Sequence, residues 1–200
     1  MKPWSVLLAP LVLLGCTSPV AGGDHTGAAA GDDSAPPSDS GETGETGETA
    51  DTQGADTGWP ALLVNELMAQ NTSTVADDQG IYADWIELYN PTAEDVDLAG
   101  WSLTDDLTDP GRSTLPSLVL AAGEHRLLWA DGAPEQGADH LAFSLDNDGE
   151  ALGLYAPDGR AIDGLRFGNQ TDDVSLARSP DGGQSWVLAS PATPGAPNGG

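Results

Sequence analysis

The chain has 200 residues, with six Lys+Arg against 32 Asp+Glu and a formal net charge of −26. That length suits one domain with tails, or at most two small domains. Such acidity excludes a phosphate-reading nucleic-acid binder, which runs on Lys and Arg, and electrostatic docking on anionic lipid, which needs basic clusters. The charge is uneven. Residues 17–58 carry nine acids and no Lys or Arg, whereas residues 59–200 carry 23 acids and five Arg.

Residues 1–16 read MKPWSVLLAPLVLLGC. Lys2 is a short positive start, and residues 6–14 are apolar apart from the helix breaker Pro10. A membrane span needs ~20 apolar residues, so this run is too short to cross and reads as a secretory segment. Leu13-Leu14-Gly15-Cys16 ends it, and Cys16 is the single cysteine. This run resembles the lipobox of bacterial lipoproteins. The resemblance implies a diacylglyceryl group on the Cys16 thiol and cleavage that leaves Cys16 as an acylated N-terminus. Two or more chains anchor stably where one does not, so the expected membrane contact is through lipid on Cys16. Thr17 stands where inner-membrane retention favours Asp, which implies an exported protein on the outer rather than the inner membrane. With no second cysteine there is no disulfide, so the exported domain must rest on its core.

Residues 17–58 are Gly, Ala, Ser, Thr, Asp, Glu and Pro apart from Val20, His25 and Gln53, with the repeat Gly41-Glu42-Thr43, Gly44-Glu45-Thr46, Gly47-Glu48-Thr49. Val20 apart, nothing there can bury enough area to offset backbone entropy, so a disordered acidic tether is expected. As a flexible chain it would span roughly 35 Å, and more under self-repulsion.

From Trp59-Pro60 onward, residues 59–200 read as one domain of short period-two runs separated by Gly, Pro, Asn and Asp. The first sets Leu63, Asn65 and Leu67 against Val64 and Glu66; the next sets Ile86 and Leu88 against Trp85, Glu87 and Tyr89. Others lie at 101–103, 125–130, 151–155, 161–167 and 186–188. Pro157-Asp158-Gly159 reads as a hairpin turn. Alternation at this spacing, with no 3.6-residue stripe, predicts an all-β sandwich or barrel. Five Trp in this region point to an aromatic core, with Trp59 the one expected to be partly exposed.

Several phrases together resemble the lamin tail domain, an immunoglobulin-like β-sandwich that also occurs in exported bacterial proteins. They begin with Val64-Asn65-Glu66-Leu67-Met68-Ala69-Gln70-Asn71, Asp84-Trp85-Ile86-Glu87-Leu88-Tyr89-Asn90-Pro91 and Val96-Asp97-Leu98-Ala99-Gly100-Trp101. Gly149-Glu150-Ala151-Leu152, Phe167-Gly168-Asn169-Gln170, Arg178-Ser179-Pro180 and Pro194-Gly195-Ala196-Pro197-Asn198 follow in order. The resemblance spans 61–198. It implies a non-enzymatic binding or scaffolding module. The association of lamins with DNA does not carry over to a chain this acidic.

No nucleophile elbow, H-E-x-x-H, C-x-x-C, Walker or dinucleotide-binding pattern occurs, so no catalytic residue and no enzyme activity is expected. His125, after Gly123-Glu124, reads as an exposed turn residue. No cofactor is implied, and calcium is the one candidate ligand, since hard cations want clustered carboxylates. Asp105-Asp106 with Asp109 and Asp146-Asn147-Asp148-Gly149-Glu150 are two acidic clusters. The second starts like an EF-hand, yet Pro157 occupies the position of the bidentate Glu, so it reads as a turn. The remaining cluster supplies the candidate calcium ligands Asp77, Asp78, Asp84 and Glu66. Glu66, Asn71 and Glu87 are read as structural polar residues. Glu66 is expected to hold amides of the 71–84 loop, or to pair with Arg112, Arg126, Arg166 or Arg178.

The chain is thus expected to be a lipid-anchored, non-catalytic module on the bacterial cell envelope that meets an envelope or extracellular protein or glycan. A calcium-dependent adhesion module is the alternative, and an accessory subunit of a secreted hydrolase or nuclease a third reading.

Overall fold

Turn residues cut the chain into short extended pieces. The computed structural model describes residues 58–199; the secretory segment, Cys16 and the tether lie outside them, save Gly58. The strands are β1 (Leu63–Met68), β2 (Trp85–Tyr89), β3 (Val96–Asp97), β4 (Ser102–Thr104), β5 (Ser113–Thr114) and β6 (Val119–Leu120). After them come β7 (His125–Trp129), β8 (Ala151–Tyr155), β9 (Ala161–Arg166), β10 (Ser175–Arg178) and β11 (Trp186–Ala189). One 3-10 turn, Pro134–Gln136, is the only helical element among the described residues.

All the strand ladders are antiparallel. A five-stranded sheet runs β11-β10-β1-β2-β7, a four-stranded sheet runs β5-β4-β8-β9, and β3 and β6 form a ribbon. The all-β sandwich read from the sequence is the observed architecture. Its core holds Val64 and Leu67 of β1, Ile86 and Leu88 of β2 and Leu128 of β7. These pack with Trp101, Leu103, Leu152, Leu154 and Phe143. Trp59 is half-buried and meets Trp101 edge-on, the centroids 6.0 Å apart.

Two turns show why glycine is needed. Gly159, at φ 82°, closes the β8–β9 hairpin expected at Pro157-Asp158-Gly159, with Gly159 N–H donating to Ala156 C=O. Gly149, at φ 101°, lies so close to residue 167 that a Cβ would come within 2.5 Å of the Phe167 carbonyl oxygen. Both a strained φ and a backbone clash oppose any side chain there. Gly149→Ala is expected to cost about 1–3 kcal/mol in urea unfolding, whereas Gly80→Ala tests φ strain alone, having open space around its Cβ.

β1 departs from the simple alternation. Val64 pairs with Leu88 and Glu66 with Glu87, so Asn65 is an extra residue in a β-bulge. The bulge shifts the phase by one. Val64 and Leu67 therefore both enter the core, while Asn65 and Glu66 both face outward. That outward face is covered as well. Met68, Trp85 and Trp129 form a second buried cluster with Val75 and Ala192 against it, and Glu66 and Glu87 are fully buried.

His125 is not an exposed turn residue. It is the first residue of β7, stacks on Tyr89 at 4.4 Å, and brings Nε2 to 3.5 Å from Asp181. Antiparallel register explains it, because Tyr89 and His125 are direct cross-strand neighbours.

Candidate functional site

Three polar constellations stand out. The first is an acidic cleft of about 640 Å³ where the end of β1 meets the loop before β8. Asp84, Asp105, Asp146 and Glu150 line it, with Gln70, Asn71 and Asn147. Asp84 accepts from Asn71 N–H at 3.1 Å, and burial raises its pKa. Glu150 accepts from Asp146 N–H at 2.8 Å; burial raises its pKa, and the charges of Asp105 and Asp146 add to that. Arg112 bonds to Asp105 at 2.9 Å. Converging carboxylates that share one small volume favour a cationic group from a ligand or partner.

The second is a carboxylate pair on the outer face of β1 and β2. Glu66 accepts from the Ser175 hydroxyl, from Thr193 N–H at 3.1 Å and from the Thr193 hydroxyl at 2.9 Å. Glu87 accepts from Asn65 at 3.1 Å and from Gly195 N–H at 2.7 Å. Burial pushes the Glu87 carboxyl up to about 7; the Asn65 and Gly195 donors oppose this, and the nearby Glu66 and Asp181 charges add to it. Asn198 completes the arrangement, donating to Arg178 C=O at 2.8 Å.

The third joins three segments distant in sequence. One carboxylate oxygen each of Asp77 and Asp131 and one ring nitrogen of His140 lie within 4.8 Å of one another. His140 Nδ1 is 2.7 Å from Asp131 Oδ2.

The sequence-predicted site residues are distributed among these constellations. Asp77 enters the third and Asp84 lines the cleft, while Asp78 is an exposed turn residue. Glu66 belongs to the second constellation, bonded to the C-terminal segment and away from Asp77, Asp78 and Asp84. Its expected hold on the 71–84 loop is performed instead by Asn71, which donates to Val75 C=O at 2.6 Å and Ala83 C=O at 2.7 Å. Among the described residues Glu66 bonds to Ser175 and Thr193 rather than to an arginine. Arg178 pairs with Asp163, Arg112 with Asp105 and Arg126 with Glu124. Asp131, His140, Thr193 and Asp181 were not singled out as site residues. Their signal is spatial, since each sits in an ordinary loop phrase.

A family model described as Lamin Tail Domain matches residues 56–169, more than half of the chain. The chain belongs to the lamin tail domain family. A comparison with curated proteins gave no match. The matched segment of this lamin tail domain ends before β10 and β11, yet β10 pairs directly with β1. Residues 175–189 therefore complete its five-stranded sheet. The family is non-enzymatic and immunoglobulin-like, which is compatible with a binding module.

Proposed function

We propose that this lamin tail domain is a lipid-anchored, non-catalytic binding and scaffolding module on the bacterial cell envelope, held at a distance by its tether. The observation that carries the reading is the pairing of a lone cysteine behind a short apolar run with an acidic sandwich that starts only after a polar, Gly-rich stretch. A module built this way needs reach and a recognition surface rather than a reaction centre. The acidic cleft suits a cationic group on an envelope or extracellular protein or glycan.

The anchor is tested by phase partition. Wild-type chain expressed in a bacterium enters the detergent phase of a cloud-point extraction and incorporates labelled fatty acid, whereas Cys16→Ser enters the aqueous phase unlabelled. Detergent partition retained in Cys16→Ser overturns the proposal. Crosslinking on the native anchor then identifies the partner, and Asp84→Asn with Glu150→Gln lowers its yield if the cleft is the contact.

A further inference from the structure

We infer that Asp77, Asp131 and His140 form a binding site for a divalent transition metal of the zinc class. The three residues come from the β1–β2 loop, the second position after β7, and the segment beyond the 3-10 turn. Each carboxylate is aimed by one of its own oxygens. Asp77 Oδ1 accepts from Gln79 N–H and Ile81 N–H, both at 2.8 Å, and Asp131 Oδ1 accepts from Ala133 N–H at 3.0 Å.

The backbone that carries His140 is held as firmly. His140 forms a bridge with Trp129, whose N–H donates to Asp139 C=O at 2.7 Å and whose C=O accepts from Leu141 N–H at 2.8 Å. Gln79 donates to Gln136, tying the Asp77 loop to the 3-10 turn. The donor atoms are thus positioned by their surroundings, which is what a preformed metal site requires.

The observation that points to a ligand is Asp77 Oδ2. Asp77 is 8% exposed, and this oxygen is buried with no hydrogen-bond partner. An unpaired buried carboxylate oxygen is costly, and a second carboxylate beside it raises the cost. Asp131 Oδ2 has His140 Nδ1 at 2.7 Å, but Asp77 Oδ2 has no partner. A cation within reach of all three groups satisfies that oxygen and balances both charges.

The donor set selects among cations. Calcium and magnesium take oxygen ligands, whereas an imidazole nitrogen with two carboxylates suits zinc and its neighbours. Three protein ligands leave a tetrahedral position for water or for a group on a partner. This site differs from the four carboxylates expected from sequence in both membership and metal, and it does not depend on the lipid anchor.

The test uses the full chain carrying Cys16→Ser, so that no thiol competes, stripped with chelator and titrated with zinc chloride or calcium chloride alone. One zinc per chain is expected, with a melting temperature that climbs with zinc concentration and no response to calcium. Asp77→Asn keeps the oxygen that accepts from Gln79 and Ile81, so it tests the free oxygen without dismantling the loop. Asp77→Asn and His140→Gln are each expected to weaken zinc binding at least about tenfold while remaining folded by circular dichroism. Absence of a zinc-dependent rise, or zinc affinity unchanged in both variants, overturns the site. A calcium response that Asp77→Asn abolishes, with none to zinc, overturns the metal class.

Discussion

Arg178→Met is expected to remove about 3 kcal/mol of unfolding free energy, because it strands a largely covered carboxylate. Arg178 is buried at the end of β10. Its Nε donates to Val64 C=O at 2.7 Å, Nη1 to Gly183 C=O at 2.5 Å, and Nη2 to both Asp163 oxygens at 2.9 Å. The guanidinium also lies 4.6 Å from the Trp186 ring centroid. Asp163, on β9 of the other sheet, accepts from Val64 N–H at 2.8 Å.

The β1–β10 ladder pairs Glu66 with Ala177 and Leu67 with Leu176, so Val64 lies beyond its register. An ion pair from two different sheets takes up the N–H and C=O of Val64 where the ladder stops. Removing the arginine leaves Asp163 without its cation and takes a donor from that carbonyl, and each such loss is expensive where water is largely excluded. Urea denaturation measures the effect. Arg178→Met with Asp163→Leu is expected to cost less than the sum of the single changes, since the second removes the orphan created by the first. A single-variant loss below about 1 kcal/mol, the range of exposed pairs, would show that the pair is ornamental.

The chain is expected to lose about 2.5 kcal/mol of stability between pH 5 and pH 8 through Glu87 alone. Its folded pKa is raised from 4.5 to about 7, so the folded state holds the proton more tightly than the unfolded state. The contribution is fully present below 4.5 and is lost as pH rises through about 7. Asp84 and Glu150, also raised, act in the same direction.

Asp173 has the opposite sign. Hydroxyl and amide donors of Thr72 and Ser73 hold its carboxyl far below the usual range, so its contribution is present above its unfolded pKa and is lost in acid. A stability maximum near pH 5 follows, flanked by losses on both sides. Thermal melts are expected to drop by about 10 °C from pH 5 to pH 8. In Glu87→Gln the drop shrinks by the Glu87 share, whatever the absolute melting temperature of that variant. An unchanged slope in Glu87→Gln would assign the pH dependence elsewhere.

Sequence patterning reaches the sandwich but not its centre. β2, β7, β8 and β9 are readable because five or six residues of alternation, bounded by Asn, Gly or Pro, carry the period. β10 is not, since Ser175-Leu176-Ala177-Arg178 is too short to show one and its arginine is an inward-facing group. The bulge at Asn65 defeats the alternation in β1, because one inserted residue reverses the facing of everything after it. Glu66 and Glu87 are recognisable as odd polar residues within strands. Their partners are not recognisable, since Thr193 and Gly195 are neighbours only after the chain has returned. The same holds for Asp77, whose companions arrive from beyond β7.

β1 has a further consequence for how such a chain comes into being. It lies between β2, which follows it closely, and β10, which is made more than a hundred residues later, and its polar face is sealed by residues 193–198. Any machine that threads the polypeptide N-terminus first delivers the middle strand of the larger sheet early and its second neighbour nearly last. The sandwich therefore cannot lock while it is still being drawn out. Pairing across so long an interval is slow, so the larger sheet closes only once its C-terminal segment is present.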